Sequence, residues 1–413
     1  MMNIIRGGLV AFMLTASGGA AQDYAAGLAA FNAGDYATAL KELRPLAEQG
    51  NPWAQYDLGL MYDQGLGVPQ DDAETVRWYR KAAEQGNALA QFNLANMYAG
   101  GEGVAQDHAE AARLYRLAAD QGHYSAQNNL ASMYADGTGV PQDHAEAVRR
   151  YRLAAEKGNA LAQYNLGLMY AGGKGVAQNH TKAARWYRKA ADQGNIYAQH
   201  ELGRMYDLGL GVSQDLGEAA RLYGLAARRG YAEAQFNLAS MYANVEGLEQ
   251  DHAKAALMYN LAAEQGHAGA QFNLASTYAN GEGVEQDFAK AALNYRLAAE
   301  QGMARAQFNL ASMYAHGESV AQDHAEAARW YRRAAEQGHP EAQAALGALH
   351  ARGDGVPRSR VIAHMWFSLA DENGAAHAAQ GRDMVAAQMT QSELSDARRL
   401  ARACLASGYR RCD

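Results

Sequence analysis

AQFNLASTYANGEGVEQDFAKAALNYRLAAEQG, residues 270 to 302, decides the fold, because almost the same line is written in the 36 residues before it, ending at Gly266, and again ending at Gly230. Its opening Ala-Gln pair returns at Gln55, Gln91, Gln127, Gln163, Gln199, Gln235, Gln271, Gln307 and Gln343 with no insertion or deletion. A chain of 413 residues could hold two or three ordinary domains, but a fixed period makes it one elongated array of like units. Nine units fill residues 51–374. A residue present in every copy is expected to hold the copies together before it is expected to do chemistry.

Within a unit, residues 87–99, NALAQFNLANMYA, put Ala90, Gln91, Leu94, Met97 and Tyr98 on one helical face, which defines a helix A. The loop GEGVAQ, 101–106, has glycines suited to a left-handed turn and Val104 as its one apolar plug. Asp107 is placed to cap a helix B, with Glu110 completing a capping box; the pair recurs as Asp71/Glu74, Asp143/Glu146, Asp215/Glu218 and Asp323/Glu326. Ala111, Ala112, Ala118 and Ala119 permit close backbone approach, Tyr115 fills the seam, and Gly122 stops the helix. No window alternates Val, Ile and Thr as strands do, so the predicted class is all-α, an α/α superhelical solenoid of stacked helical hairpins.

The pattern AQ(F/Y)NL(A/G)xMYxxGxGVxQDxxxAxxWYxxAAxQG resembles the Sel-one-like repeat, a relative of the tetratricopeptide repeat, closely over residues 51–356. The ninth unit departs after Gly355, with Arg358-Ser359-Arg360 in place of Gln-Asp-His and Phe367 in place of tyrosine, as expected of an end unit. Residues 22–50 resemble a tetratricopeptide-type hairpin with a tight Gly34-Asp35 turn and are expected to cap the N-terminal end. Residues 375–413, with Met389, Leu394, Leu400 and Leu405 at roughly helical spacing, are expected to cap the other. The resemblance implies a non-catalytic adaptor, scaffold or regulator of signalling and envelope complexes.

Residues 1–21 carry one charge at Arg6, an apolar run from Gly7 to Leu14, and small residues before Gln22, which is the pattern of a cleaved secretory signal peptide. Its removal leaves 36 basic against 44 acidic residues, a net charge of -8 that speaks against nucleic acid as a partner. Secretion across an inner membrane predicts a periplasmic or extracellular protein, peripheral to the membrane at most. The two cysteines, Cys404 and Cys412, could there close a small loop or stand free.

Enzymatic chemistry finds little support. The G-x-G-V loops follow a helix and lack the third glycine and the lysine of phosphate-binding loops. His108, His144, His180, His252 and His324 share one repeat position, so neighbours stand about 8 to 10 Å apart, too far to share one metal ion. No metal or cofactor is expected. Secreted members of the resembled family described as weak β-lactamases carry a cysteine pair in each repeat, which this chain lacks, as it lacks Ser-x-x-Lys.

The expected work is to hold a protein or extended peptide along a concave groove lined by the A helices. Candidate contacts opposite the core stripe are Asp57, Asn93, Asn96, Asn129, Asn165, Glu201, Arg204, Asn237, Asn273 and Asn309, with asparagine able to grip a peptide backbone as donor and acceptor or to bond a neighbouring helix. A peptidoglycan-binding module is the alternative, with Trp53, Phe92, Phe236 and Phe272 stacking on sugars. A second docking patch, for a partner helix or for self-association, is expected where the outward arginine of helix B gives way to Leu257 and Leu293, with Leu261 and Leu297 one turn beyond and Lys254 and Lys290 at the edge.

Overall fold

The computed structural model describes residues 18–244, 249–318, 320–409 and Cys412. The proposed signal peptide, 1–21, falls mostly outside them; the first described helix, Gly18–Ala33, covers the expected cleavage point. All regular structure among the described residues is α-helix, and successive helices pack as hairpins. Two bodies are distinguished: one runs to Ala198 and includes Leu210–Ser213, the other takes Gln199–Gly209 and everything from Gln214.

Each repeat contributes a helix A, such as Ala88–Gly100, and a helix B, such as His108–Asp120. Helix A ends on a left-handed glycine, Gly101 at φ +77°, whose amide returns to the Met97 carbonyl. The second loop glycine has a further duty that the sequence did not reveal. A Cβ on Gly175 would collide with the His144 carbonyl at the start of the preceding helix B, and the equivalent glycines at 103, 139, 211, 283 and 355 meet the same backbone position. Each hairpin loop therefore lies directly on the helix start of the repeat before it.

Asp107 accepts from the Ala109 and Glu110 amides as expected of an N-cap. The predicted capping box is not formed: Glu110 gives both carboxylate oxygens to Arg113 at 2.7 Å, and the Asp107 amide donates to the Tyr98 carbonyl, closing the A–B loop. A guanidinium one turn along outcompetes a backbone amide that already has a partner. A capping box is formed by Thr390 and Glu393 in the C-terminal helix Gln391–Ala406.

Buried glutamines join the hairpins. Gln91 donates Nε2 to the Ala83 carbonyl at the end of the preceding helix B, and its Oε1 accepts from Gln121 Nε2 at the end of its own. The same bonds are made around Gln55, Gln163, Gln235, Gln271 and Gln307, and around Gln343 with Asn373 Nδ2 in place of the second glutamine. Where Lys157 replaces the second glutamine, Gln127 Oε1 is buried without a partner among the described residues. A second rung links helix B arginines to the next helix A: Arg44, Arg80, Arg116, Arg152 and Arg296 donate to Tyr62, Tyr98, Tyr134, Tyr170 and Tyr314 at 2.7–3.0 Å.

The helix-B tyrosine packs in two ways. Tyr115, Tyr151, Tyr259, Tyr295 and Tyr331 hydrogen-bond Asn96, Ser132, Ser240, Ser276 and Ser312 of their own helix A. Where the preceding residue is Gly59, Gly167 or Gly203 instead of alanine, the ring of Tyr79, Tyr187 or Tyr223 fills the space a Cβ would need.

At the N-terminal end, Tyr24 donates to the buried Asp57 at 2.7 Å and ties the first hairpin to repeat one. At the other end, two helices, Ala378–Ala386 and Gln391–Ala406, pack on Arg360–Glu372. Cys404 and Cys412 are joined in a disulfide, with Cα atoms 4.4 Å apart.

Helix A is capped by Asn51, Asn87, His123, Asn159, Asn195, His267 or His339, but Met303 makes no side-chain cap. Met303→Asn and Lys157→Gln are each expected to raise stability by about 1 kcal/mol, read as a higher denaturant midpoint. Neither substitution shifting the midpoint would remove caps and glutamine bonds from the forces that hold the array.

Candidate functional site

Two surfaces recur along the array: the outer flank of the A helices and the outer face of the B helices. On the first, the predicted contact residues are less open than expected. Asn93, Asn129, Asn165, Asn237, Asn273 and Asn309 are half-buried, and Asp57 is 1% exposed beneath Tyr24. The reason is packing. Adjacent A helices lie close enough that Asn165 donates to Asn128 of the preceding repeat at 3.1 Å, and Asn128 donates to Asn129 at 3.2 Å. Asn237 meets His200 Nε2 at 3.0 Å, while His200 Nδ1 faces Glu201 at 3.4 Å and Glu201 holds Arg204 at 3.1 Å. Burial would push the Glu201 carboxyl up, but His200 and Arg204 outweigh it and hold it below the usual range. Asn96 remains exposed, although its oxygen is already taken by the Tyr115 hydroxyl.

Exposed apolar side chains stand on this flank in the first body. Leu161 and Leu168 on helix Ala160–Gly172 are 47% and 40% exposed, with Asn165 between them on one stripe. Tyr124 in repeat three and Tyr197 in repeat five are each 46% exposed. Leu168 stands in the same outward column as Asn96 and Arg204, and only polar members of that column were taken as contacts from the sequence.

The aromatic rings assigned to sugar stacking are already covered. Phe92 and Phe236 stack on His123 and His267 with centroids 4.5 and 4.6 Å apart, and Phe272 carries the Arg305 guanidinium at 4.9 Å. Trp53 packs half-buried on the N-terminal core.

On the B helices, Glu74–Arg77, Glu110–Arg113, Glu146–Arg149, Glu218–Arg221 and Glu326–Arg329 form exposed i,i+3 pairs at 2.6–2.7 Å. Arg149, with Arg150 beyond it, holds the Glu146 carboxyl down at about 2 against the rise that burial brings. Leu257 and Leu293 break this ladder and stand 55% and 54% exposed. Leu297 is 39% exposed and Leu261 half-buried, much as Leu117 and Leu153 are at the same repeat position. Lys254 and Lys290 do not form a free basic edge. They pair with the N-cap residues Asp251 and Asp287 at 3.0 and 3.3 Å and lie over the Tyr242 and Tyr278 rings.

Among the described residues, no three His, Cys, Asp or Glu side chains gather as a metal site requires, and no helix is long and apolar enough to cross a membrane.

The model of the Sel1 repeat matches nine times, over residues 54–87, 88–123, 125–159, 160–195, 196–231, 232–267, 268–303, 304–339 and 340–374. A protective antigen of uropathogenic Escherichia coli strains displaying an SLR fold is 35% identical with a TM-score of 0.66, covering 94% of this chain and 93% of its own. A Sel1 repeat protein from Oxalobacter formigenes is also 35% identical, with a TM-score of 0.58, covering 75% of this chain and 89% of its own. No curated protein matches the chain significantly.

The helix-A caps add a pH dependence. Burial holds the imidazoles of His123 and His339 below their usual 6.5, and each accepts a helix amide only while neutral. The folded state therefore binds protons less readily than the unfolded chain, so this stability is complete above about pH 6.5 and is lost as pH falls through the folded values. The melting midpoint should drop between about pH 7 and 5, and less steeply in a His123→Asn, His339→Asn double variant. Equal slopes would show that other groups carry the dependence.

Proposed function

The chain belongs to the Sel1 repeat family, and we propose that it is a non-catalytic adaptor of the bacterial cell envelope that holds a partner protein or extended peptide along the outer flank of its A helices. Sel1-like repeats generally mediate protein–protein interaction, and SLR-fold proteins are typically scaffolds. The observation that carries the reading is the exposed pair Leu161 and Leu168, on either side of half-buried Asn165, with Tyr124 and Tyr197 exposed in the neighbouring repeats. Apolar anchors in a row are what an extended peptide laid along this flank needs. Glycan binding fits less well, because the rings it would use are stacked within the array.

Cross-linking capture from the native envelope tests this. Leu161→Glu with Leu168→Glu should abolish recovery of the partner that the unaltered chain captures, with melting unchanged because both side chains are exposed. Recovery that persists, or a chain that instead pulls down peptidoglycan sacculi, would overturn the reading. Asn165→Ala with Asn237→Ala is a poorer probe, since both amides bond neighbouring side chains, and should lower stability by about 1 kcal/mol per bond.

Self-association is assigned to Leu257 and Leu293, whose exposure replaces ion-paired arginine. Leu257→Arg with Leu293→Arg should shift size-exclusion elution toward a smaller species, and unchanged elution would exclude it.

The envelope address rests on residues 1–21. Mass spectrometry of the periplasmic fraction should find a mature chain beginning within a residue or two of Gln22; a cytosolic product retaining Met1 would refute secretion.

A further inference from the structure

Helix B of the fourth repeat, His180–Asp192, departs from its seven counterparts in repeats one to eight by keeping neither acid of the first turn. Asn179 stands at the N-cap where the others have aspartate, and Lys182 stands where five of them have glutamate. Repeats six and seven also place lysine there, but Lys254 and Lys290 are neutralised by their N-cap aspartates. Asn179 accepts from the Lys182 amide and brings no charge. Arg185 likewise lacks the glutamate that pairs with Arg77, Arg113, Arg149, Arg221 and Arg329. Along this helix Lys182, Arg185 and Lys189 have one acid for company, Asp192, in a protein whose net charge is -7.

A cleft of about 770 Å³ opens at the same place, lined by Lys182, Arg185, Lys189, Tyr170, Trp186 and Val212 among others. Trp186 is half-buried in it, whereas Trp78 and Trp330, at the same position of repeats one and eight, are 3% and 8% exposed. Lys189 lies over the Trp186 ring at 4.5 Å and Lys182 over Tyr170 at 5.4 Å. Lost first-turn acids, cations left without a first-turn carboxylate and a half-buried rather than fully buried indole thus coincide in one repeat of nine.

We infer that this cleft is a docking site for a short acidic segment of a protein partner, with carboxylates meeting Lys182, Arg185 and Lys189 and an apolar side chain seated on Trp186 and Val212. Charge complementarity names the occupant as acidic. The apolar floor asks for a side chain that a bare anion lacks. A cleft of about 770 Å³ limits the occupant to a short segment. This surface is apart from the A-helix flank, and a synthetic peptide tests it independently of the capture experiment.

The probe is a fluorescein-labelled acetyl-EELEE-amide, titrated with the full chain by fluorescence anisotropy. Saturable binding is expected, weakening about fivefold or more as salt rises from about 50 to 300 mM. Lys182→Glu recreates the glutamate–arginine pair of five other repeats, keeps the fold, and should weaken binding about tenfold. Lys254→Glu, the same change two repeats along, should leave it within about twofold. Trp186→Leu, which installs the residue of repeats two and five, should weaken binding about threefold if the indole is the apolar seat. Absence of saturable binding, equal loss in Lys182→Glu and Lys254→Glu, or displacement by inorganic phosphate as effective as by unlabelled peptide would overturn the assignment.

Discussion

The rest of the structure depends on a buried amide with two obligations. Gln91, 3% exposed, must reach the last carbonyls of the helix before it and must receive the amide of Gln121 from the helix after it. A polar group sealed from water costs about 1 to 3 kcal/mol when left unpaired, so the arrangement is stable only if three helix ends arrive in register. That constraint explains why the 36-residue spacing never slips. One inserted residue in either helix would carry the glutamine off its partners in that repeat and the next, whereas a side-chain substitution on an outer face costs almost nothing. Lys157 shows the tolerance: it leaves Gln127 Oε1 without a partner, yet the Gln127 amide still holds Ala119 and the helices still stack.

Once register is secured, the outer positions are free to vary, and they vary in coupled sets. Where helix B has Trp78, Trp186 or Trp330, the residue one turn on is Lys81, Lys189 or Arg333, its cation 4.5–4.6 Å above the ring. Where that position is Leu114, Arg150, Leu222, Met258 or Asn294, the following position is leucine. The exception is informative. Trp366 in the ninth repeat is followed by Leu369, and both are buried, because the C-terminal helices cover the face that other repeats leave to solvent. Glycine or alanine before the outward helix-A position is coupled in the same way to whether a tyrosine ring or its hydroxyl makes the contact, as Gly167 with Tyr187 and Ala131 with Tyr151 illustrate.

What was legible in the sequence follows from periodicity. A period of 36 with a 3.6-residue stripe inside it leaves no fold but stacked helical hairpins, and Asp107-type caps, left-handed glycines and the tyrosine seam follow from local chemistry. Contacts between copies were not legible, because the pattern cannot say which copy a side chain faces. Glu110 and Arg113 are as consistent with a capping box as with an ion pair until geometry shows the Asp107 amide already bonded to Tyr98. The asparagine column looked solvent-facing on a single helix; the neighbouring helix, 36 residues away in sequence, converts Asn165 and Asn237 into seam residues. Leu161 was not legible as a contact because an exposed leucine and a core leucine are spelled alike.

In a repeat array the departures carry functional information that the consensus cannot, and their value depends on what surrounds them. A lysine for glutamate at Lys254 or Lys290 changes little, since the aspartate three residues earlier absorbs its charge. The same exchange at Lys182 coincides with Asn179 and leaves the charge uncompensated. The difference lies in a neighbour one turn away. Exposed ion pairs contribute little to stability, commonly under about 1 kcal/mol, so their loss in repeat four is a small burden on the fold. The same loss is a large change in what that face attracts, since unpaired cations beside a partly dry indole are screened less than cations paired in open water. Repetition thereby separates two demands that compete in ordinary domains: the glutamine ladder keeps the backbone in place, and single repeats alter their outer chemistry without disturbing it.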